Sequence, residues 1–468
     1  MNISKINMMY QFGFQLTLLS GLFFISSLSV HASDLAVTLP LDVAVEQAQK
    51  NDPWLVENRF RQDALESQSV AAGTLPDPIA SLSLLNMPTD GYDFDQENMT
   101  QLKVGISQMF PRGDTLRLQT KKLQLLSEQN PHLRADRKAQ IAVMVTGLWL
   151  DVFNAKESIR LIEEDRDLFE QLLDISAASY SSAFGGTQQQ DVVRAQLELT
   201  RLDDRLTKLR QRQDVAQKKL TQWVSGQFVE QYISPDLGSS SYSNIEIDNQ
   251  QLPQLVLQQP ELITFEDPDL SERLATYFVQ HPSVLALESR IKASETDVEL
   301  SKQKYKSQWG LNAGYSYRAD DPSGRSRADF LSVGINFDLP LFTENKQDKQ
   351  LQASVSEAEA IKSQKWLLLR KMIADFQAAK VQLQRLEQRS ELYQQQLLPK
   401  IHEQAEAALT AYTNDEGDFA EVVRARIDVL DAEIDNLEIE VNSQKTISQL
   451  NYYLVTKDKS LASMGEGN

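Results

Sequence analysis

The side chains that most often carry metal or acid–base chemistry are scarce and scattered. The four histidines, His31, His132, His281 and His402, stand far apart, and none falls in an H-E-x-x-H or other ligand-spaced cluster. There is no cysteine, which excludes disulfides, thiolate metal centres, a cysteine nucleophile and a cysteine-anchored lipid. No glycine-rich phosphate loop, dinucleotide fingerprint or G-x-S-x-G elbow occurs. With 47 basic against 66 acidic residues the net charge is −19, so the basic stripe needed by a nucleic-acid partner is missing. The expectation is a protein that is not an enzyme and has no cofactor and no resident metal.

The elements that would position any site say more. Residues 1–32 hold Lys5, an apolar run from about Leu16 to Leu28, and Val30-His31-Ala32, the pattern of a signal peptide cleaved before Ser33. An uncleaved anchor is the alternative, disfavoured by Ser20, Ser26, Ser27 and Ser29 within the run. Beyond Ala32 no apolar stretch reaches transmembrane-helix length, and the mean hydropathy is −0.39. An exported chain of this kind is soluble in the periplasm, secreted or a β-barrel, whose strands barely move a hydropathy average.

The chain repeats once. Asn51-Asp52-Pro53 is answered by Gln280-His281-Pro282, and Val104-Gly105-Ile106-Ser107 by Val333-Gly334-Ile335-Asn336, both at an offset of 229. Asp191-Val192-Val193-Arg194-Ala195 returns as Glu421-Val422-Val423-Arg424-Ala425 at an offset of 230. So long a period means two halves rather than a solenoid. Each half reads as helix, two strands joined by a loop, a very long helix, a glycine-bearing turn and another long helix.

The strands alternate. Trp309, Leu311, Ala313, Tyr315 and Tyr317 oppose Gly310, Asn312, Gly314, Ser316 and Arg318, and Leu331, Val333, Ile335, Phe337 and Leu339 oppose Ser332, Gly334, Asn336 and Asp338. Leu102, Val104 and Ile106 oppose Gln101, Lys103, Gly105 and Ser107, and Ala80, Leu82 and Leu84 oppose Ser81 and Ser83. An apolar face against a small, polar one fits a membrane barrel with a wet lumen; a soluble sheet packed on helices gives the same alternation. Four strands cannot enclose a pore, whereas three copies give an even twelve. Pro76, Pro78, Pro111 and Pro340 mark the strand boundaries.

From about Asp114 to Ser181, and again from Glu344 to Tyr412, glycine and proline almost vanish, interrupted only by Pro131, Gly147 and Pro399. Helices of this length reach about 100 Å. Val423, Ile427, Leu430, Ile434, Leu437 and Val441 step by 4 and 3 residues, a coiled-coil seam, and Ala195, Leu199, Leu202, Leu206 and Leu209 answer it in the first half.

Taken in this order and twice over, these landmarks resemble the TolC-type outer-membrane efflux proteins. The residues that carry the resemblance are Asn51-Asp52-Pro53, His281-Pro282, Val104 to Gln108 with Pro111, Val333-Gly334-Ile335 with Leu339-Pro340-Leu341-Phe342, and the two Val-Val-Arg-Ala motifs. It implies a mixed fold, mostly α: a homotrimer with a twelve-stranded outer-membrane β-barrel, four strands per chain in contact with outer-membrane lipid, continued into a periplasmic α-helical barrel. The implied function is an efflux channel, the exit duct of a tripartite pump with a periplasmic adaptor and an inner-membrane pump of the resistance-nodulation-division type. Gly73-Thr74-Leu75-Pro76-Asp77-Pro78, Asn86-Met87-Pro88, Met99-Thr100 and Ser107 to Gly113 resemble the branch serving heavy-metal cation pumps, although that branch's lipidated N-terminal cysteine is absent. Met87, Met99 and Met109 read either as soft metal ligands or as strand-and-loop surface.

The expected organisation is a signal peptide at 1–32, a first repeat at 33–225, a linker or equatorial segment at 226–270, a second repeat at 271–455 and a disordered tail at 456–468. The hairpin tips, near Ser182 to Gln190 and Thr413 to Ala420, lie farthest from the strands. Here the resemblance implies a gate in which Tyr412 holds helices shut and Glu421 and Asp191 supply acids; Arg424 stands where a second carboxylate is common. Asp415 and Asp418 would strengthen a threefold acidic field favouring cations, or are ordinary solvated turn acids. Gly185, Gly186 and Gly417 fit turns that need a permissive backbone and mark the adaptor-docking tips. The competing function is a periplasm-spanning coiled-coil tether or stalk whose strands form a soluble sheet.

Overall fold

The computed structural model describes residues 37–181, 189–225, 245–247, 251–263, 269–414 and 416–456. The signal peptide expected at 1–32, nearly all of the tail, and 226–244 of the linker lie outside the described residues.

In chain order the elements are β1 (Val37–Leu39), α1 (Leu41–Asn51), α2 (Pro53–Ala72), β2 (Ile79–Leu85), β3 (Gln101–Phe110), α3 (Thr115–Ser181) and α4 (Gln189–Val224). Then follow β4 (Ile245–Ile247), a 3-10 turn (Pro260–Ile263), α5 (Leu270–Phe278), α6 (Pro282–Gln303), β5 (Trp309–Tyr317) and β6 (Phe330–Phe337). The chain continues through α7 (Gln347–Leu392), a π turn (Tyr393–Leu397), α8 (Leu398–Thr413) and α9 (Phe419–Tyr453). The second half thus restates the first, and β6 ends before Leu339, which the alternation had included.

α3 runs unbroken for 67 residues, straight through Pro131. A proline there cannot donate to the carbonyl of Ser127, four residues back. The Asn130 side chain substitutes for it, donating from Nδ2 to the Ser127 oxygen at 3.2 Å and to that of Leu126 at 3.1 Å. Asn130 Oδ1 in turn accepts from Asn58 on α2, and Asn58 Oδ1 accepts from Arg134, both at 2.9 Å. Pro399 is accommodated differently: the five-residue π turn lies just before it, widening the helix where the ring would meet the preceding turn.

Four strands form one antiparallel sheet in the order β2-β3-β5-β6. Four helices pack in the matching order α2-α3-α6-α7. Lys122 to Asp297 at 2.7 Å ties α3 to α6, and Lys365 to Glu288 at 2.6 Å ties α6 to α7. Both the sheet and the helix row therefore end in open edges, at β2 with α2 and at β6 with α7. Val56, Phe60 and Val70 stand exposed on α2, as do Val355, Trp366 and Leu367 on α7.

Four apolar clusters among the described residues hold the long helices together. Near the chain's middle, Ala44 and Ala48 of α1 meet Trp149 and Phe153 of α3, Leu220 of α4 and Val441 of α9. Its counterpart joins Leu274 and Phe278 of α5 to Phe376 of α7 and Leu450 of α9. Each fully buried ring of this kind stabilises by about 2–3 kcal/mol relative to exposure. The described parts of the expected linker join this region: β4 pairs in parallel with β1, and the Leu255 and Gln258 amides donate to Gln444 and Asn451 of α9.

Candidate functional site

The sheet does not bury its apolar face as a soluble one would. Its apolar face is bare, with Leu82 72 % and Val333 70 % exposed, while Ser316 on the opposite face is only 3 % exposed. In water such an apolar face would bury itself against another layer. Aromatic rings sit at both ends of the bare face. Phe110, Trp309 and Phe337 are register partners at the end nearest the helices, with the Trp309 and Phe337 rings 5.0 Å apart. Tyr315 and Tyr317 lie toward the other end, where Tyr317 stacks on Phe94 at 6.1 Å. Two aromatic rows flanking an apolar band are the pattern of an outer-membrane barrel wall. The alternation in the sequence showed the face; the rows emerge only once the register aligns rings from different strands.

The opposite face is lined by Ser81, Ser83, Lys103, Gly105, Ser107, Asn312, Ser316, Ser332 and Asn336, with glycines between them. The glycines make room. A Cβ at Gly310 would lie 2.4 Å from Asn336 Oδ1, and one at Gly314 would lie 2.7 Å from the Cε of Lys103. Asn312 donates to Asn336 across two strands at 3.0 Å.

The hairpin tips form the other end. α3 and α4, α8 and α9 meet in an apolar cluster holding Phe169, Leu172, Ala195, Leu202, Leu206, Phe419, Val422, Val423 and Leu430, with Leu199, Leu209, Ile427, Ile434 and Tyr412 against it. The first heptad seam and the Val423–Ile434 part of the second thus enter one core, while Leu437 and Val441 join the cluster around Trp149. Tyr412 packs edge-on to Phe419 with ring centroids 5.6 Å apart, bridging the end of α8 and the start of α9.

The expected acids take distinct positions. Asp191 is buried in the first turn of α4, while Glu421 stands exposed in the first turn of α9. Asp418 is the N-cap of α9, its carboxylate accepting from the Ala420 amide at 3.1 Å. Such a cap and the first-turn Glu421 both favour the helix start. Asp415, Gly185 and Gly186 lie outside the described residues. Gly417 does not adopt a left-handed conformation; a Cβ there would lie 2.7 Å from the Tyr412 nitrogen and 2.9 Å from the Ala411 carbonyl carbon. Close backbone approach, rather than a positive φ, is what requires glycine at this turn.

Above the tip, a charged cluster that sequence spacing did not reveal joins three helices. His402 on α8 places Nδ1 2.8 Å from the Leu398 carbonyl and Nε2 3.1 Å from the Glu433 carboxylate of α9. Asp165 of α3 shares this site; burial first, then the neighbouring Glu433, pushes its carboxyl up to about 6, against the pull of Arg426 and His402.

Among the described residues no cluster of three or more His, Asp or Glu side chains is placed to hold a metal ion, and no helix is long and apolar enough to cross a membrane.

No protein-family model matches the chain, and no curated protein matches it in sequence. Solved structures do. The Campylobacter jejuni CmeC outer-membrane channel superimposes with a TM-score of 0.71 at 11 % identity, over 91 % of this chain and 88 % of that one. The outer-membrane channel OprN gives 0.67 at 16 % identity, over 88 % and 89 % of the two chains. CusC, whose structures are described as reviewing conformational changes that accompany folding and transmembrane channel formation, gives 0.67 at 12 % identity, over 89 % and 92 %. At these identities the likeness shows the fold: this chain has the architecture of the outer-membrane channels.

Proposed function

We propose that the chain is one subunit of an outer-membrane efflux channel, a passive exit duct reaching from the outer membrane into the periplasm. The observation that carries the reading is the bare apolar face of β2, β3, β5 and β6 beside a polar, glycine-rich opposite face. Lipid is the environment in which that burial pattern is favourable.

Trimer closure follows from the open edges. β6 of one copy pairs with β2 of the next, and Trp366 and Leu367 of α7 cover Val56 and Phe60 of the neighbouring α2, giving twelve strands and a continuous helical wall. The segment before Ser33 is the export signal, and the two repeats flank an equatorial segment. The tips, with Tyr412, Glu421, Asp191, Asp415 and Asp418 as gate residues and Gly185, Gly186 and Gly417 as docking residues, meet a periplasmic adaptor that links the duct to an inner-membrane pump. Opening requires that this complex bind the open tip more tightly than the closed one. No covalent step is assigned to the chain.

The test is outer-membrane fractionation of the expressed protein followed by electrophoresis with and without boiling. A heat-dissociable trimer in the outer-membrane fraction is expected; a soluble monomer in the periplasmic extract overturns the reading and favours a tether. Growth of a deletion strain on copper, silver, zinc, bile salts and lipophilic drugs then identifies the cargo class. Selective metal sensitivity supports metal cations as cargo; drug sensitivity alone removes them.

A further inference from the structure

Only one residue within the four barrel strands carries a charge: Lys103. It is the third residue of β3, at the end of the sheet away from the helices, and its alternation places it on the polar face with Gly105 and Ser107. Among the described residues it makes no ion pair, although acids are plentiful in the adjoining loops. The wall is shaped around it. Its Cε lies 2.7 Å from the position a Cβ of Gly314 would take, so the aliphatic stem leans over a glycine of β5 on the polar face. In a chain of net charge −19, an unpaired cation on the polar face of an otherwise uncharged wall dominates the local field.

We propose that Lys103 is a charge-selectivity residue of the barrel lumen: in the trimer, three ammonium groups ring the outer part of the duct, favouring anionic solutes and opposing free cations. This rests on the channel reading above. Twelve strands spaced about 4.8 Å apart and tilted near 40° close at a backbone radius of about 12 Å. The side chains project inward from that radius, so their field spans the opening at low salt, where the Debye length is about 30 Å, and collapses near 1 M, where it is about 3 Å. The acidic tip and this ring would act in series with opposite preference, and the barrel would not be a neutral pipe.

The experiment is the reversal potential of purified trimers in planar bilayers under a KCl gradient at low and high mean salt. Lys103→Glu is expected to raise the potassium-to-chloride permeability ratio at least about twofold at low salt, with Lys103→Gln between it and the parent, and the difference to vanish near 1 M. Because the chain has no cysteine, Lys103→Cys gives an independent arm. Its modification in the open channel by cationic or anionic thiol reagents should move the ratio in opposite directions without refolding. An unchanged ratio in conducting Lys103→Glu and reagent-labelled Lys103→Cys channels overturns the proposal while leaving the channel standing. Absence of any conductance from parent trimers overturns the channel reading itself.

Discussion

Asp52 and His281 occupy the same place in the two halves and meet the same need with different chemistry. Each caps a helix whose first residue is proline: Asp52 Oδ1 accepts from the Trp54 amide at 3.2 Å and His281 Nδ1 from the Ser283 amide at 3.3 Å. Asp52 is charged and bound by Arg137 of α3 at 2.8 Å, whose guanidinium also lies 5.8 Å from the Trp54 ring and 5.4 Å from that of Trp223. His281 is buried, and its Nε2 faces the Tyr452 carbonyl at 3.0 Å, which fixes the proton on Nε2 and leaves Nδ1 free to accept. Duplication preserved the cap, and the surroundings then chose an ion pair in one half and a neutral ring in the other.

Replacing Arg137 by alanine leaves the Asp52 carboxylate, 4 % exposed, without its partner. The expected loss is about 3 kcal/mol, the low end for breaking a buried pair because the arginine itself is partly solvated. Arg137→Lys should recover only part of it, since an ammonium cannot lie flat between two indoles. The heat-induced dissociation midpoint of the trimer reads both, and equal midpoints for Arg137→Ala and the parent would remove the ion pair from the account.

Asn130 should matter because of Pro131. Asn130→Ala leaves the Ser127 carbonyl buried without a donor and takes away the acceptor of Asn58 Nδ2, an expected cost of about 1–3 kcal/mol. Adding Pro131→Ala restores a backbone N–H at that carbonyl and should return part of the stability. Strict additivity of the two substitutions in a double-mutant cycle would count against the compensation.

His281 gives a pH dependence of definite sign. Burial pulls its pKa down to about 4 from an ordinary value near 6.5. Below 6.5 the unfolded chain binds a proton that the folded chain refuses, so stability is full above 6.5 and falls progressively toward pH 4. His281→Asn keeps a capping side chain and should flatten that part of the unfolding profile. A profile between pH 4 and 6.5 as steep as the parent's would contradict the assignment.

Asp165 works the other way. With its carboxyl raised to about 6, the folded state holds a proton that the unfolded state has released, so its contribution declines as pH rises from about 4 through 6. Asp165→Asn should raise the unfolding midpoint at pH 7.5 and change it little at pH 4. The two slopes oppose each other, so each single variant should expose the other residue's profile; a destabilised Asp165→Asn at pH 7.5 would refute this one.

Gly417→Ala tests the tip. The added methyl meets backbone atoms of Ala411 and Tyr412, which cannot rotate away as a side chain would, so the α8–α9 turn must open. Faster amide exchange through 411–421 and a higher open-channel conductance are expected, and parent-like values in both would show that the turn absorbs the group.

What the sequence determined by itself was everything carried by period and punctuation. Alternation over Trp309–Tyr317 and Gln101–Phe110, heptads through Val423 to Val441, and the repeated landmarks at Asp52-Pro53 and His281-Pro282 are local signals, because side-chain direction follows backbone geometry residue by residue. They sufficed for the element order, the two halves and the resemblance to outer-membrane channels. Pro131 was misleading as an interruption, since its cost is offset by Asn130 only when the helix is already formed and packed against α2. The aromatic rows, the Lys103 groove over Gly314 and the His402–Glu433–Asp165 cluster belong to the tertiary structure alone. Each joins residues from different strands or helices, and contact between them depends on register and on which helix faces which, neither of which leaves a mark in local spacing.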